Sequence, residues 1–302
     1  MRAFVLLSGD NNRFIKEGFK IHKSLLPINE DGCKTTLEHI VYELGQINKF
    51  IDKYKKDNPI ADCNAERITQ VYFVLRGNRA YDDGSIELEQ QDSIIRAIST
   101  INAKNTATFD ISIIYDSPLK AGALYSAYNA IGKAQKIEYS NENILLINCD
   151  QIVSFNSTIA QELDVFNSND YLGGILHADS SNVKEKYRKL FGYSVVNQNL
   201  IYSIFEKDPI SNHLHTGHYF IKDADTFYNY CLKVFKEKKT LHYQQFNEIV
   251  NTGEYFISTL FQEMLDDNKN VIRFNWLGSV DNFISVGTPE LYTEYLLKDY
   301  KI

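Results

Sequence analysis

The order of patterns along the chain predicts an α/β protein: a Rossmann-like, mainly parallel central sheet flanked by helices, followed by a mixed α+β half. Two observations carry this. Through residues 1–155, short apolar and β-branched runs alternate with longer segments whose apolar residues recur at helical spacing. Through residues 156–302, strand-like runs follow one another across short turns, and helical segments come after them.

Ala3–Ser8 reads as a buried parallel strand ended by Gly9. Thr35 to about Lys55 reads as a helix, because Leu37, Ile40, Val41, Leu44 and Ile47 fall on one face. The polar stretch Asp52–Arg67 is expected as a surface loop or helix end. Val71–Leu75, Ile111–Tyr115 and Ile144–Asn148 are further strands, and Ser85–Ile101 and Ala121–Ile137 are helices between them. Tyr171–His177, Leu190–Val196, Leu200–Phe205 and His218–Lys222 are strand-like; Asp223–Lys238, Glu254–Leu265 and Glu290–Leu297 are helical. No repeat or linker interrupts the chain. Residues 1–155 and 156–302 are therefore expected as halves of one domain, with an approximate boundary.

The chain has 302 residues, 44% of them hydrophobic, enough for a large core. A formal charge of −7 removes the long-range attraction that holds a protein to a polyanion, so nucleic acid is not an expected partner. Small anions remain compatible, since a local cluster of Lys and Arg outweighs net charge at close range. No apolar run approaches the ~18 residues of a membrane span. Met1–Leu7 is apolar but interrupted by Ser8, Gly9 and Asp10, which suits a strand and not a signal peptide. Four scattered cysteines without CxxC spacing point to a reduced, cytoplasmic protein. Oligomeric state has no signature.

Two segments carry the chemistry. After the first strand comes Leu7-Ser8-Gly9-Asp10-Asn11-Asn12-Arg13-Phe14, continuing to Gly18-Phe19-Lys20-Ile21-His22-Lys23-Ser24-Leu25. A glycine turn at a strand's C-terminal end aims backbone N–H groups at phosphate, and Arg13 and Lys23 add charge. A polar loop with two solvated cations reads equally well from these residues alone. Further on, the strand Ile144–Asn148 delivers Asp150 to its C-terminal end, where open α/β sheets bind ligands. A carboxylate there suits a hard cation such as Mg²⁺. A turn or cap aspartate is the other reading.

Taken together, these segments resemble the sugar nucleotidyltransferases, of glycosyltransferase-A-like fold, and within them a bacterial surface-polysaccharide branch. Gly9, Arg13, Phe14, Gly18, Lys20, Lys23 and Leu25 stand at the places of that family's opening signature, and Asn148-Cys149-Asp150-Gln151-Ile152-Val153 matches its metal strand. Ala121-Gly122-Ala123 resembles its base- and ribose-contacting stretch, while a tightly packed helix start is the structural alternative. Glu206-Lys207-Asp208-Pro209-Ile210-Ser211 and Thr216-Gly217-His218-Tyr219-Phe220 resemble its sugar-phosphate segments. Gly253-Glu254-Tyr255-Phe256-Ile257 and Ser285-Val286-Gly287-Thr288-Pro289-Glu290 resemble its closing ones. Asn11 replaces the second loop glycine, His22 and Ser24 replace the prolines around the lysine, and Ser285 replaces a second metal aspartate.

The resemblance implies a nucleotidyltransferase that joins NMP from an NTP to a phosphorylated acceptor, such as a sugar 1-phosphate, for surface-polysaccharide precursors. It implies Arg13, Lys23 and Asp150 as catalytic, with Mg²⁺ on Asp150. Leu7, Ser8, Gly9, Asn11, Asn12, Ala121 and Gly122 would bind the nucleotide, and Lys207, Gly217 and Glu254 the acceptor. Two other readings are a glycosyltransferase of the same fold, disfavoured by Asn148 and Ile152 in place of an Asp-x-Asp pair, and a nucleotide-sensing module. His213, His215 and His218 invite a zinc reading, but neither helical i,i+4 spacing nor neighbouring cysteines support it.

Overall fold

The computed structural model describes residues 1–9, 11–59, 63–77, 86–104, 109–117, 121–137, 141–197, 199–237, 242–245, 248–251, 253–267, 272–275 and 280–299. The nucleotide-side half runs β1 (Arg2–Leu6), α1 (Asn12–Lys16), a 3₁₀ turn (Lys23–Leu25), the hairpin β2 (Pro27–Glu30) and β3 (Cys33–Thr35), α2 (Thr36–Asp57), β4 (Gln70–Arg76), α3 (Ile86–Lys104), β5 (Asp110–Asp116), α4 (Ala123–Ile137), β6 (Ile144–Asn148) and β7 (Gln151–Phe155). It is followed by α5 (Thr158–Asn167), β8 (Gly173–Asp179), α6 (Glu185–Arg188), β9 (Gly192–Asn197), β10 (Leu200–Glu206), β11 (His213–Ile221), α7 (Ala224–Lys236), β12 (His242–Gln245), β13 (Glu248–Asn251), α8 (Ile257–Asp267), β14 (Ile272–Asn275), β15 (Val280–Ser285) and α9 (Pro289–Asp299).

Among the described residues one nine-stranded sheet spans both halves. Its main order is β10-β9-β11-β6-β1-β4-β5, and β8 and β14 branch from β11. β6, β1, β4 and β5 are parallel, and β11 joins β6 antiparallel. The apolar runs of the parallel strands have a simple cause: both faces are covered. Ala3, Val5 and Leu7 pack with Leu37, Leu44, Ile94 and Ile98 of α2 and α3. Phe4 and Leu6 pack on the other face with Leu124 and Ile131 of α4, Phe227 of α7 and Phe261 of α8.

Helix α2 starts where Thr35 Oγ1 accepts from Glu38 N at 3.2 Å, and it runs to Asp57, two residues beyond Lys55. In α7, Asp223 Oδ1 caps Thr226 N at 2.7 Å. The expected strand at His218–Lys222 begins earlier, at His213. The β11–β8 register shifts between His215 and Tyr219, around Gly217, so the strand carries a bulge that breaks its alternation. Ser85 and Lys238, expected helix ends, lie outside the described residues, as does 118–120.

A small antiparallel ribbon sits beside the main sheet. β7 pairs β15, with Ser285 opposite Gln151. Under it, Phe14, Leu26, Ile28, Ile152, Val286, Tyr292 and Tyr295 form a separate apolar cluster, which anchors the N-terminal loop to the C-terminal helix.

Candidate active site

The C-terminal ends of β1 and β6 open into a cleft of about 900 Å³, where ligands bind in open α/β sheets. Ser8, Gly9, Asn12, Arg13, Lys23, Ala121, Gly122, Asp150, Lys207, Gly217 and Glu254 all line it. Leu7 and Asn11 do not. Leu7 shares the face of Ala3 and Val5 and points into the core; Leu6, one residue back, reaches the cleft instead.

Asn11 is buried as a brace. Its Nδ2 donates to Ile21 O and to Gln90 Oε1, each at 3.1 Å, and its Oδ1 accepts from Lys23 N at 3.2 Å. Asn11 therefore shapes the loop that presents Lys23 and is not itself part of the cleft lining. His22 and Ser24 act in the same way. His22 Nδ1 accepts from Ser24 N at 3.2 Å and lies 2.9 Å from Ser24 Oγ, capping the 3₁₀ turn that carries Lys23. Burial, aided by the Lys23 charge and opposed by Asp150, lowers the His22 pKa to about 3. Its ring is thus neutral and free to accept. Hydrogen bonds here do the stiffening that prolines would do.

The strand-end aspartate and the loop lysine meet. Lys23 Nζ stands 2.5 Å from Asp150 Oδ2, and Gln151 Nε2 donates to Asp150 Oδ1 at 3.1 Å. Burial disfavours charge on both groups, yet their mutual attraction outweighs it. The Lys23 pKa rises and the Asp150 pKa falls. Val286 N donates to Asp150 O at 3.0 Å, so the β15 end closes over the turn. A Cβ on Gly287 would stand 3.0 Å from Asp150 Oδ2, so the glycine keeps that flank of the carboxylate free of side chain.

Across the cleft the charges are arranged differently. Lys207 holds a left-handed backbone (φ +60°), a conformation non-glycine residues adopt at a cost of about 1 kcal/mol or more. Its Nζ lies 5.3 Å from the Phe256 ring centre. Burial lowers the Lys207 pKa against the pull of Glu206. Burial raises that of Glu206, although Ser258 Oγ donates to its Oε2 at 2.7 Å and Lys207 is adjacent. Beside Glu206, His215 Nε2 lies 2.8 Å from Ser194 Oγ, and burial lowers its pKa to about 3.

The two positive-φ glycines of the predicted site owe their place to protein neighbours. A Cβ on Gly122 (φ +95°) would stand 2.5 Å from Tyr255 O, because Tyr255 N donates to Ala121 O and Leu124 N to Tyr255 O. This is the tightly packed helix start. A Cβ on Gly217 (φ +79°) would meet the Asn148 side chain at 2.9 Å.

Several lining residues carry no local signature in the sequence. Arg76, at the end of β4, donates from Nη2 to Ser8 O at 2.6 Å. Lys189 follows α6 and is exposed in the cleft rim. Glu206 stands beside Lys207 in a motif whose lysine alone was singled out. His215 belonged to the histidine group weighed for zinc. Among the described residues His213, His215 and His218 form no metal-spaced group. With Arg76 and Lys189 included, five cations (Arg13, Lys23, Arg76, Lys189, Lys207) face three carboxylates (Asp150, Glu206, Glu254). The cleft is thus locally cationic in an acidic protein and suits an anionic ligand.

No protein-family model matches the chain, and no curated protein does. Solved structures do. A nucleoside-diphosphate-sugar pyrophosphorylase from Vibrio cholerae RC9 aligns at TM-score 0.64 and 16% identity, covering 98% of this chain and 100% of that one. The inositol-1-phosphate CTP transferase from T. maritima aligns at TM-score 0.54 and 13% identity, over 99% and 94% of the two chains. A UDP-glucose pyrophosphorylase complexed with UDP-glucose aligns at TM-score 0.59 and 13% identity, over 99% and 98%. The chain therefore has, over nearly its whole length, the α/β fold of these nucleotidyltransferases.

Proposed function

We propose that this chain is a nucleotidyltransferase, transferring NMP from an NTP to a phosphorylated acceptor, most simply a sugar 1-phosphate, with release of pyrophosphate. The observation that carries the reading is the Lys23–Asp150 pair, 2.5 Å apart at the mouth of a cationic cleft, in a fold shared with proteins described as doing this chemistry.

An oxygen of the acceptor phosphate attacks the α-phosphorus of the NTP in line. The new P–O bond forms as the bond to the bridging oxygen breaks, and that oxygen leaves on pyrophosphate. The nucleophile is already an anion, so no strong base is needed, and catalysis rests on positioning and charge neutralisation. Arg13 and Lys23 hold the triphosphate and its departing end. Lys207 orients the acceptor phosphate, with Glu254 and Gly217 at its sugar.

The Asp150 carboxylate is a hard oxygen donor of the kind Mg²⁺ takes, and with Gly287 adding no side chain beside Oδ2 an ion would share it with Lys23 and keep waters and substrate phosphates as its other ligands. When bound, that ion would neutralise phosphate charge. Ser285, opposite Gln151, offers a hydroxyl where a second carboxylate would stand in the family pattern. Residues 1–155 serve as the nucleotide half and 156–302 as the acceptor half in this reading. Its products would feed surface-polysaccharide synthesis in the cytoplasm. No described helix is long and apolar enough to cross a membrane.

A matrix of four NTPs against phosphorylated sugars and alcohols, with Mg²⁺ and a pyrophosphate readout, tests the proposal. One combination is expected to turn over. Thermal stabilisation by an NTP with no pyrophosphate from any pair would replace it with a nucleotide sensor. Consumption of a nucleotide-sugar without pyrophosphate would replace it with a glycosyltransferase.

A further inference from the structure

A second constellation lies away from the cleft, where the β2–β3 hairpin folds onto α2 and β7. The hairpin turns at Asp31 and Gly32, both in left-handed backbone (φ 50° and 72°), which places the Asp31 carboxylate over the helix. His39 and Glu43 stand one turn apart on α2, on its β7-facing side. His39 is 1% exposed. Its Nε2 lies 3.3 Å from Val153 O, and Glu43 Oε2 accepts from Phe155 N at 2.9 Å. Asp31 Oδ2 lies 3.7 Å from His39 Nδ1 and accepts from Ser154 Oγ at 3.5 Å. One ligand atom from each of Asp31, His39 and Glu43 lies within 4.8 Å of the others.

The tautomer follows from the bonds. A carbonyl oxygen only accepts, so the Val153 contact requires the proton on Nε2. In a neutral ring Nδ1 is then a bare lone pair. It is buried, has no hydrogen-bond partner, and lies 3.7 Å from Asp31 Oδ2, which is also an acceptor. Such an arrangement calls for a cation between them, either a proton or a metal ion. A proton on Nδ1 would meet Asp31 Oδ2 only at 3.7 Å, beyond hydrogen-bond reach, and would stay poorly partnered. A metal-binding histidine whose other ring nitrogen donates to a backbone carbonyl is the usual outer-shell arrangement.

We propose that Asp31, His39 and Glu43 form a binding site for a divalent transition-metal ion of the Zn²⁺ type, which staples the β2–β3 hairpin to α2 and β7. One imidazole and two carboxylates favour such an ion over Mg²⁺, which prefers oxygen ligands throughout. The ligand atoms must close by about an ångström to reach Zn–N and Zn–O distances of roughly 2.0–2.2 Å, and the exposed Asp31 turn is the element that can move. The role is structural, since none of the three residues lines the cleft that holds Asp150. It does not rest on the proposed activity.

The test uses the full chain stripped with chelator, titrated with Zn²⁺ alone by calorimetry and with Co²⁺ by visible absorption. Asp31→Asn is the informative variant, because Asn tolerates the left-handed angle and the position is exposed. Asp150→Asn separates the cleft. The expected result is one Zn²⁺ per chain, retained in Asp150→Asn and weakened at least about tenfold in Asp31→Asn. X-ray absorption should show one imidazole in the shell, and bound Zn²⁺ should raise Tm. Equal Zn²⁺ affinity in Asp31→Asn, or loss of binding in Asp150→Asn, would overturn it. So would nitrogen NMR showing His39 protonated on both ring nitrogens at neutral pH with no metal uptake.

Discussion

Two lysine–carboxylate neighbours share the cleft and differ in the balance that governs them. Lys23 and Asp150 touch at 2.5 Å, and each shifts the other toward its charged form in spite of burial. Glu206 and Lys207 are adjacent in the chain, yet burial wins in both, pushing Glu206 up and Lys207 down. The difference is geometric. The loop lysine is delivered to its partner by a turn fixed by Asn11, His22 and Ser24. Lys207 is turned out by a left-handed backbone toward Phe256, while Glu206 takes its hydrogen bond from Ser258. One pair is charged in advance, as phosphate and metal chemistry require. The other holds two desolvated groups of opposite sign, and an anion bound beside them would favour the charge of Lys207 and not that of Glu206.

The largest expected effect breaks the first pair. Asp150→Ala should lower pyrophosphate release by about 10²–10³-fold or more, on the scale of losing one key electrostatic group. The protein should remain folded by circular dichroism, because both side chains retain some solvent contact. Turnover near wild type in a folded Asp150→Ala protein would remove the metal-site assignment and with it the contrast. Lys207→Met should act at the other end. It should raise KM for the acceptor roughly 10- to 100-fold, the worth of a charged hydrogen bond, with KM for the NTP little changed. A larger effect on the NTP would reverse the assignment of the two sides.

Much of this was legible in the sequence. The runs at Ala3–Ser8, Val71–Leu75 and Ile144–Asn148 are strands because both sheet faces are covered, which makes them continuously apolar. Asp150 was legible because a strand end fixes its place. What escaped depends on partners far along the chain. The β7–β15 ribbon joins segments more than a hundred residues apart, and neither strand signals the other. Helix α5, within Thr158–Asn167, was not anticipated. Its sequence TIAQELDVFN is short and lacks a side-chain cap. Leu7 was placed in the loop, but period-two alternation from Ala3 puts it in the core and Leu6 toward the cleft. Gly122 read either as a base contact or as a tightly packed helix start; the Tyr255 backbone packs against it, and it lines the cleft as well. Arg76 and Lys189 are isolated cations that only the fold brings to the cleft.

A smaller effect tests the turn that sets the first pair in place. Ser24 is fully buried, and its Oγ lies 2.9 Å from His22 Nδ1. Ser24→Ala should cost about 1 kcal/mol in denaturant unfolding, as loss of one buried side-chain hydrogen bond does, while the backbone N–H that His22 caps is kept. If this hydrogen bonding replaces the stiffness of prolines, the variant should also weaken NTP binding more than acceptor binding. An equal effect on both substrates would mean that the turn serves stability alone.

The smallest effect is the most direct comparison of the two carboxylates, and its sign differs between them. The folded pKa of Asp150 lies below its ordinary 3.8. Its ionisation therefore contributes stability that is present above pH 3.8 and lost as pH falls through the folded value. The folded pKa of Glu206 lies above its ordinary 4.5, so its contribution is present below pH 4.5 and lost as pH rises through the folded value. Denaturant midpoints measured from pH 3 to pH 7 should separate them. The deficit of Asp150→Asn against wild type should be widest near neutral pH and close toward acid. Glu206→Gln, which keeps the shape and removes the charge, should gain on wild type as pH rises above 4.5. Gaps that move in the same direction with pH would mean that both carboxylates are governed by one balance of burial and charge, and the cleft would then have one kind of lysine–carboxylate neighbour where the structure describes two.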